Sequence, residues 1–178
     1  QELTLLLADY PVSKRQIELI AAVLGDSAAE MIRENPFILQ KFRGFSFEML
    51  DSMACRFGCS LDNPLRIKAA IKEVHKLAMI GSNRMFDDLV LRGGGNLYMG
   101  QKDAIIAAYR LLDNEETQIP ISSIVSVFKD MAHCHELLGD YHNSYLPDNF
   151  IHENKTAQYI VDTLLYSECK RYTNEQCM

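Results

Sequence analysis

The stretch Ile38-Leu39-Gln40-Lys41-Phe42-Arg43-Gly44-Phe45-Ser46-Phe47-Glu48-Met49-Leu50-Asp51 decides how this chain is read. Apolar residues at helical spacing flank a single glycine, which predicts two short helices joined by a tight turn, Arg43-Gly44-Phe45: a helix-hairpin-helix. Ser46 is a good N-cap for the second helix, whose apolar face carries Met49, Leu50, Met53 and Phe57 and which Gly58 ends. The first N–H groups of that helix have no partner within it. Gly44 lets the backbone approach a ligand closely. Free N–H groups at the positive end of a helix dipole make a phosphate site, and Lys41 and Arg43 stand beside it, where each phosphate contact adds salt-dependent affinity. The expected site is therefore Lys41, Arg43, Gly44, Phe45 and Ser46. The usual pattern has two glycines, and here Phe45-Ser46 replaces the continuation Gly-hydrophobe-Gly. A second reading stays open: Gly44 only closes a turn, and the cations are solvated.

Upstream, a second hairpin is predicted, with Leu3 to Ala8 as first helix, Asp9 to Val12 as turn, and a helix from Ser13 carrying Ile17, Ile20 and Leu24 to Gly25. Lys14 and Arg15 fall in that helix's first turn, where the dipole disfavours cations by a few tenths of a kcal/mol. They join the candidate site as a hint of an anionic partner, although a turn without glycine also fits plain packing. Asp26 is read as capping a helix with Ala29 and Ile32 inward, stopped before Asn35-Pro36. A short helix follows through Ile38 and Leu39.

Downstream, Pro64 opens a helix whose stripe Ile67, Ala70, Ile71, Val74, Leu77 and Ala78 is the cleanest in the chain. Gly93-Gly94-Gly95 separates a helical domain, 1–92, from a second, 96–170. The second reads as a strand over Asn96 to Met99, a helix over 101–112, a polar loop over Asp113 to Gln118 and a helix from Ile121 to His133. A hairpin follows, with strands Glu136 to Leu138 and Ser144 to Leu146, and then a closing helix, Asn149 to Cys169, using Ala157, Ile160, Val161 and Leu164. Helix, helix, hairpin is the order of a winged helix. The expected fold is mostly α: a tandem helix-hairpin-helix bundle followed by a small winged-helix-like α+β unit.

Composition bounds the function. The 178 residues are 48% hydrophobic and 24% charged, which is ordinary globular usage. No apolar run approaches the roughly 18 residues of a membrane span, and no signal peptide is visible. Opening on Gln1, the chain reads as a fragment. Five cysteines, odd in number and dispersed, suit free thiols in a reducing cytoplasm. Cys55 and Cys59 lack a second pair at zinc spacing, and His133-Cys134-His135 is the other cluster, so no metal site is expected. The five histidines suggest no nucleophile–base arrangement, and His75 reads as an ordinary histidine at the edge of an apolar stripe. Asp87-Asp88 and Glu115-Glu116 read as solvated. No catalytic residue and no cofactor is assigned. The net charge of −6 is uneven: residues 1–60 hold six Lys/Arg against eight Asp/Glu, 61–100 six against four, and 101–178 six against twelve. Any nucleic acid should therefore meet the first hundred residues.

In order, Asn35-Pro36-Phe37, Arg43-Gly44-Phe45, Asp51-Ser52-Met53-Ala54, Pro64-Leu65-Arg66-Ile67, Leu97-Tyr98-Met99 and Tyr145-Leu146-Pro147 resemble the N-terminal region of bacterial RecD-like DNA helicases, from about Leu3 to Leu165. The resemblance implies a non-motor accessory region of an exodeoxyribonuclease V alpha-like, ATP-driven 5′→3′ helicase of DNA repair and recombination. ATP and magnesium would belong to a motor placed after it, beginning near Tyr172 to Met178. Gly93-Gly94-Gly95 lacks the Gly-Lys-Ser/Thr of a phosphate-binding Walker loop. Expected partners are single-stranded or junction DNA, held without sequence preference, and the motor domain, with no membrane. The rival class is a protein-docking module on the motor or a partner subunit. For it the acidic second half, the methionines, and Tyr141, Tyr145 and Tyr159 are candidates, although core is the default place for such residues.

Overall fold

Asn35-Pro36 and Gly58 punctuate the first half as their chemistry requires. The computed structural model describes residues 2–80, 97–113, 119–140 and 142–175, with side chains to residue 165. Helix α1 (Glu2–Leu6) leads to α2 (Lys14–Leu24), α3 (Ala28–Glu34), a 3-10 helix (Pro36–Lys41), α4 (Phe47–Arg56) and α5 (Pro64–Ile80). Next come β1 (Tyr98–Gly100), α6 (Gln101–Leu112), α7 (Ile121–His133), β2 (Leu138–Gly139), β3 (Asn143–Tyr145) and α8 (Pro147–Glu175). The fold is mostly α with a small α+β unit, as expected. Its antiparallel sheet has the order β1-β3-β2, with Tyr98 opposite Tyr145 and Leu138 opposite Tyr145 on the other side.

Local chemistry explains the helix starts. Ser13 Oγ accepts from Gln16 N–H while Gln16 Oε1 accepts from Ser13 N–H at 2.8 Å, a complete capping box. Ser46 Oγ likewise accepts from Met49 N–H. Helix α3 begins one residue later than Asp26 would place it: Ser27 holds the cap position and makes no side-chain cap bond. The short helix through Ile38 and Leu39 is a 3-10 turn with Pro36 at its start.

Two stretches of the motif order turn out to be one structural device. Arg66, only 1% exposed, donates from Nε and Nη2 to the two carboxylate oxygens of Asp51 at 2.6 and 2.8 Å, and from Nη1 to Leu61 O at 3.0 Å. This bidentate pair locks α5 to α4, with every guanidinium nitrogen occupied. Helix α5 is the hub of the chain. Ile67, Ala70, Ile71, Val74 and Ala78 are buried in a continuous apolar cluster that runs from Leu7 to Leu137, so one helix serves the 3-10 helix, α4, α6, α7 and β1 together. His75 is not at the edge of this stripe but buried in it. Its Nδ1 bonds Ile71 O at 2.8 Å and its Nε2 meets Ser144 Oγ at 2.9 Å, tying α5 to β3. Burial pushes its imidazole below the ordinary histidine range.

The second half departs from expectation in its details. The strands of the hairpin are 138–139 and 143–145 rather than 136–138 and 144–146. Asp140 Oδ1 accepts from the N–H groups of His142 and Asn143, closing a tighter turn. Gly139 (φ +152°) passes so close to Asn143 O that a Cβ would collide with it. The first strand is shifted to 98–100. Helix α8 starts at Pro147, not Asn149, and the face Ala157, Ile160, Val161 and Leu164 does not close the core: residues 154–165 are all exposed, Leu164 by 60%. Periodicity predicts an apolar face but not what covers it. Gly93-Gly94-Gly95 and the 92/96 boundary lie outside the described residues, as do Asn96, Asp87-Asp88, Glu115-Glu116, Tyr141 and the side chains beyond 165.

Candidate nucleic-acid interface

Around the Gly44 hairpin, inward and outward residues alternate. Phe42, Phe45 and Phe47 are buried, and the Phe47 ring stacks on Phe37 at 6.0 Å, while Lys41, Arg43, Gly44, Ser46 and Glu48 are exposed. The three phenylalanines anchor the turn from below. Phe45, expected at the site, therefore contributes its main chain to the surface and its side chain to the core.

Gly44 has φ +97°, a conformation that L side chains rarely adopt. Ser46 caps Met49 N–H with its hydroxyl at 3.3 Å and Leu50 N–H with its carbonyl at 3.1 Å. Among the described residues, the N–H groups of Gly44, Ser46, Phe47 and Glu48 make no hydrogen bond to an acceptor within the chain, while 43–44 form the turn itself. Those of Ser46, Phe47 and Glu48 are the donors a helix start leaves over.

The sequence does not reveal how the two hairpins meet. Gln16, in the first turn of α2, donates from Nε2 to Arg43 O at 3.0 Å, 27 residues away. A Cβ on Gly44 would lie 2.6 Å from the same nitrogen. The room that glycine provides is thus taken by Gln16, not left for a ligand. This tie sets the first turn of α2, which carries Lys14 and Arg15, against the Arg43-Gly44 turn. Lys14, Arg15, Lys41 and Arg43 are all exposed. Lys14 reaches Glu18 only at 3.9 Å between two largely exposed side chains, a contact worth little. Lys41 lies 5.5 Å over the Phe42 ring. Glu48 is the acidic side chain in the first turn of α4.

A second group of cations was not anticipated. Lys68, Lys72 and Lys76 stand one turn apart on α5 and line a cleft of about 650 Å³ with Lys41 of the 3-10 helix. Lys68 and Lys72 both hold Glu136, at 2.5 and 2.6 Å, and Lys76 donates to Gln40 O at 3.0 Å. The bonds from Lys68 and Lys72 pull the Glu136 carboxyl below the usual carboxylate range, and burial lowers Lys76. The available signal was Lys at i, i+4 and i+8 between the apolar positions of α5.

No group of three metal-ligating side chains occurs among the described residues, and Cys55, Cys59 and Cys134 are free thiols. Among those residues no helix is long and apolar enough to cross a membrane. Residues 1–82 match the family described as the helix-hairpin-helix domain of ATP-dependent RecD2 DNA helicases. A comparison with curated proteins gives no match.

Proposed function

We propose, from the premise that residues 1–82 are a helix-hairpin-helix domain of the RecD2 helicase type, that this chain is a non-catalytic region gripping the DNA backbone for a helicase motor. One observation carries the reading. Unbonded N–H groups of Gly44, Ser46, Phe47 and Glu48 lie at a turn flanked by exposed Lys41 and Arg43, and the Gln16–Arg43 bond ties to that turn the helix start that carries exposed Lys14 and Arg15. Amide–phosphate and cation–phosphate contacts carry no base information. The favoured ligand is therefore single-stranded or junction DNA of any sequence.

The order α5, β1, α6, α7, β2, β3, with the sheet order β1-β3-β2, supports a winged-helix-like unit built on the same α5. In this reading the whole protein is an ATP-driven 5′→3′ helicase of cytoplasmic DNA repair and recombination, and ATP and magnesium belong to its motor. A docking role on that motor or on a partner subunit is the second reading. The exposed Ile160, Val161 and Leu165 of α8 favour it.

Fluorescence anisotropy of a labelled oligonucleotide across a salt series tests the first reading. Replacing Lys41 and Arg43 with Glu should weaken binding and reduce the slope of log K against log salt by about 1.4, at about 0.7 per lost single-strand phosphate contact. An unchanged slope removes these residues from the site. Salt-insensitive association with the motor domain, without DNA binding, selects the second reading.

A further inference from the structure

We propose that the cleft between the 3-10 helix and α5 is a second phosphate-binding segment, a channel for a single DNA strand that Glu136 occupies until the strand displaces it. The proposal rests on the DNA-binding reading and extends it to residues outside the hairpin.

The geometry starts from α5. At 1.5 Å rise per residue, Lys68, Lys72 and Lys76 are spaced about 6 Å apart along one helix face, commensurate with successive phosphates of an extended strand. Lys41 stands on the opposite wall. It also belongs to the hairpin surface, three residues before Gly44, so the cleft begins where the hairpin amides end. Lys76 is the lysine next to that end, held by Gln40 O at 3.0 Å. Lys68 and Lys72 lie further along.

The charges facing the cleft are Lys41, Lys68, Lys72 and Lys76 against Glu136 and Asp148. Glu73, on α5, is engaged by Gln40 Nε2 at 3.0 Å. A row of like charges one helical turn apart is self-repelling, and here one carboxylate bridges two of them. Glu136 presents one oxygen to Lys68 Nζ and the other to Lys72 Nζ. A phosphodiester has the same two charge-sharing oxygens, so the carboxylate fills a phosphate's place.

The backbone aims it there. Helix α7 ends in a Schellman arrangement, with Glu136 N–H donating to Met131 O at 2.8 Å and His135 N–H to Ala132 O at 3.2 Å. The residue that must then be left-handed is His135, at φ 57°, where glycine is usual. That turn directs Glu136 back across α5. The bridging side chains are partly exposed, at 27% and 35% for the lysines and 30% for the glutamate. A solvated strand can therefore reach them and exchange for the carboxylate.

The test is oligonucleotide binding by the full 178-residue chain at several salt concentrations, with three variants. Glu136→Gln frees two ammonium groups and should tighten binding roughly five-fold, since two partly exposed ion pairs no longer compete. Lys68→Ala with Lys72→Ala should weaken binding and lower the salt slope by about 1.4, while the Arg pair at both positions should retain it. Arg15→Glu with Arg43→Glu reports on the hairpin alone. If the hairpin variant weakens binding while Glu136→Gln and the alanine pair match the parent, the channel is overturned and the hairpin reading stands. If the parent binds no oligonucleotide at low salt, both fall. Glu136→Gln is an isosteric change, so it keeps the test valid should the alanine pair fail to fold.

Discussion

Gly44→Ala is expected to destabilise the chain by about 2 kcal/mol, and the structure divides that cost into separable parts. Placing Ala at φ +97° costs about 1–2 kcal/mol. The less flexible unfolded chain offsets about 0.4–1 kcal/mol of it. The new Cβ would lie 2.6 Å from Gln16 Nε2, so the flexible amide moves aside and gives up its bond to Arg43 O, worth about 0.5–1.5 kcal/mol. At about 2–4 °C per kcal/mol for a chain of this size, Tm should fall by about 4–8 °C. The discriminating measurement is a double-mutant cycle with Gln16→Ala, read by urea unfolding with circular dichroism. Gln16→Ala alone removes both the capping box and the Arg43 bond. Gly44→Ala in that background should then cost only its backbone part, leaving a coupling of about 1 kcal/mol. If the two changes add to within about 0.3 kcal/mol, Gln16 does not sit against Gly44 and the joining of the two hairpins is refuted.

Asp51→Asn leaves the buried guanidinium of Arg66 without its counter-charge, and a loss of about 3–5 kcal/mol is expected by chemical denaturation; a loss under 1 kcal/mol would mean that the pair is not a buried lock. His75 is held neutral by burial, with its imidazole below the ordinary range. The unfolded chain takes up a proton there first, so its contribution to stability is full above about 6.5 and lost progressively as pH falls below that. His75→Gln should flatten the stability profile between pH 7.5 and 5.5, and an unchanged profile would contradict the assignment. Glu136 has the lowered carboxyl, so its contribution is present above the ordinary carboxylate value of about 4.5 and disappears in more acidic solution. His135→Gly removes left-handed strain at an exposed site and should raise stability by about 0.5–1 kcal/mol by urea unfolding; a loss would mean that the His135 side chain supports the turn.

Elements marked by strong local chemistry were legible in the sequence. Ser13, Ser46, Pro64, Gly25 and Gly58 delimit α2, α4 and α5 where caps and breakers place them, and α6 and α7 begin and end at the predicted residues. What is set by contacts between distant residues was not legible. The Gln16–Arg43 bond spans 27 positions and the Lys68–Glu136 pair spans 68, and neither leaves a periodic trace. Lys68, Lys72 and Lys76 look like the solvated side of an amphipathic helix until the 3-10 helix and Glu136 are placed opposite them. The face of α8 departs from its expected burial for the converse reason. Its spacing satisfies an amphipathic pattern, yet residues 154–165 are all exposed. Arg66 would be read as a surface cation by type; Asp51, fifteen residues earlier, and Leu61 O explain its burial.

On the DNA-binding reading, main-chain N–H groups at and after Gly44 grip a DNA backbone. Amide-resolved NMR of the chain titrated with single-stranded oligonucleotides of two unrelated sequences at low salt tests it most directly. Both sequences should shift the amides of residues 44–48 most strongly, with the first turn of α2 following, and added salt should reverse the shifts. Shifts that leave residues 44–48 unmoved, or that appear for one sequence and not the other, would contradict it.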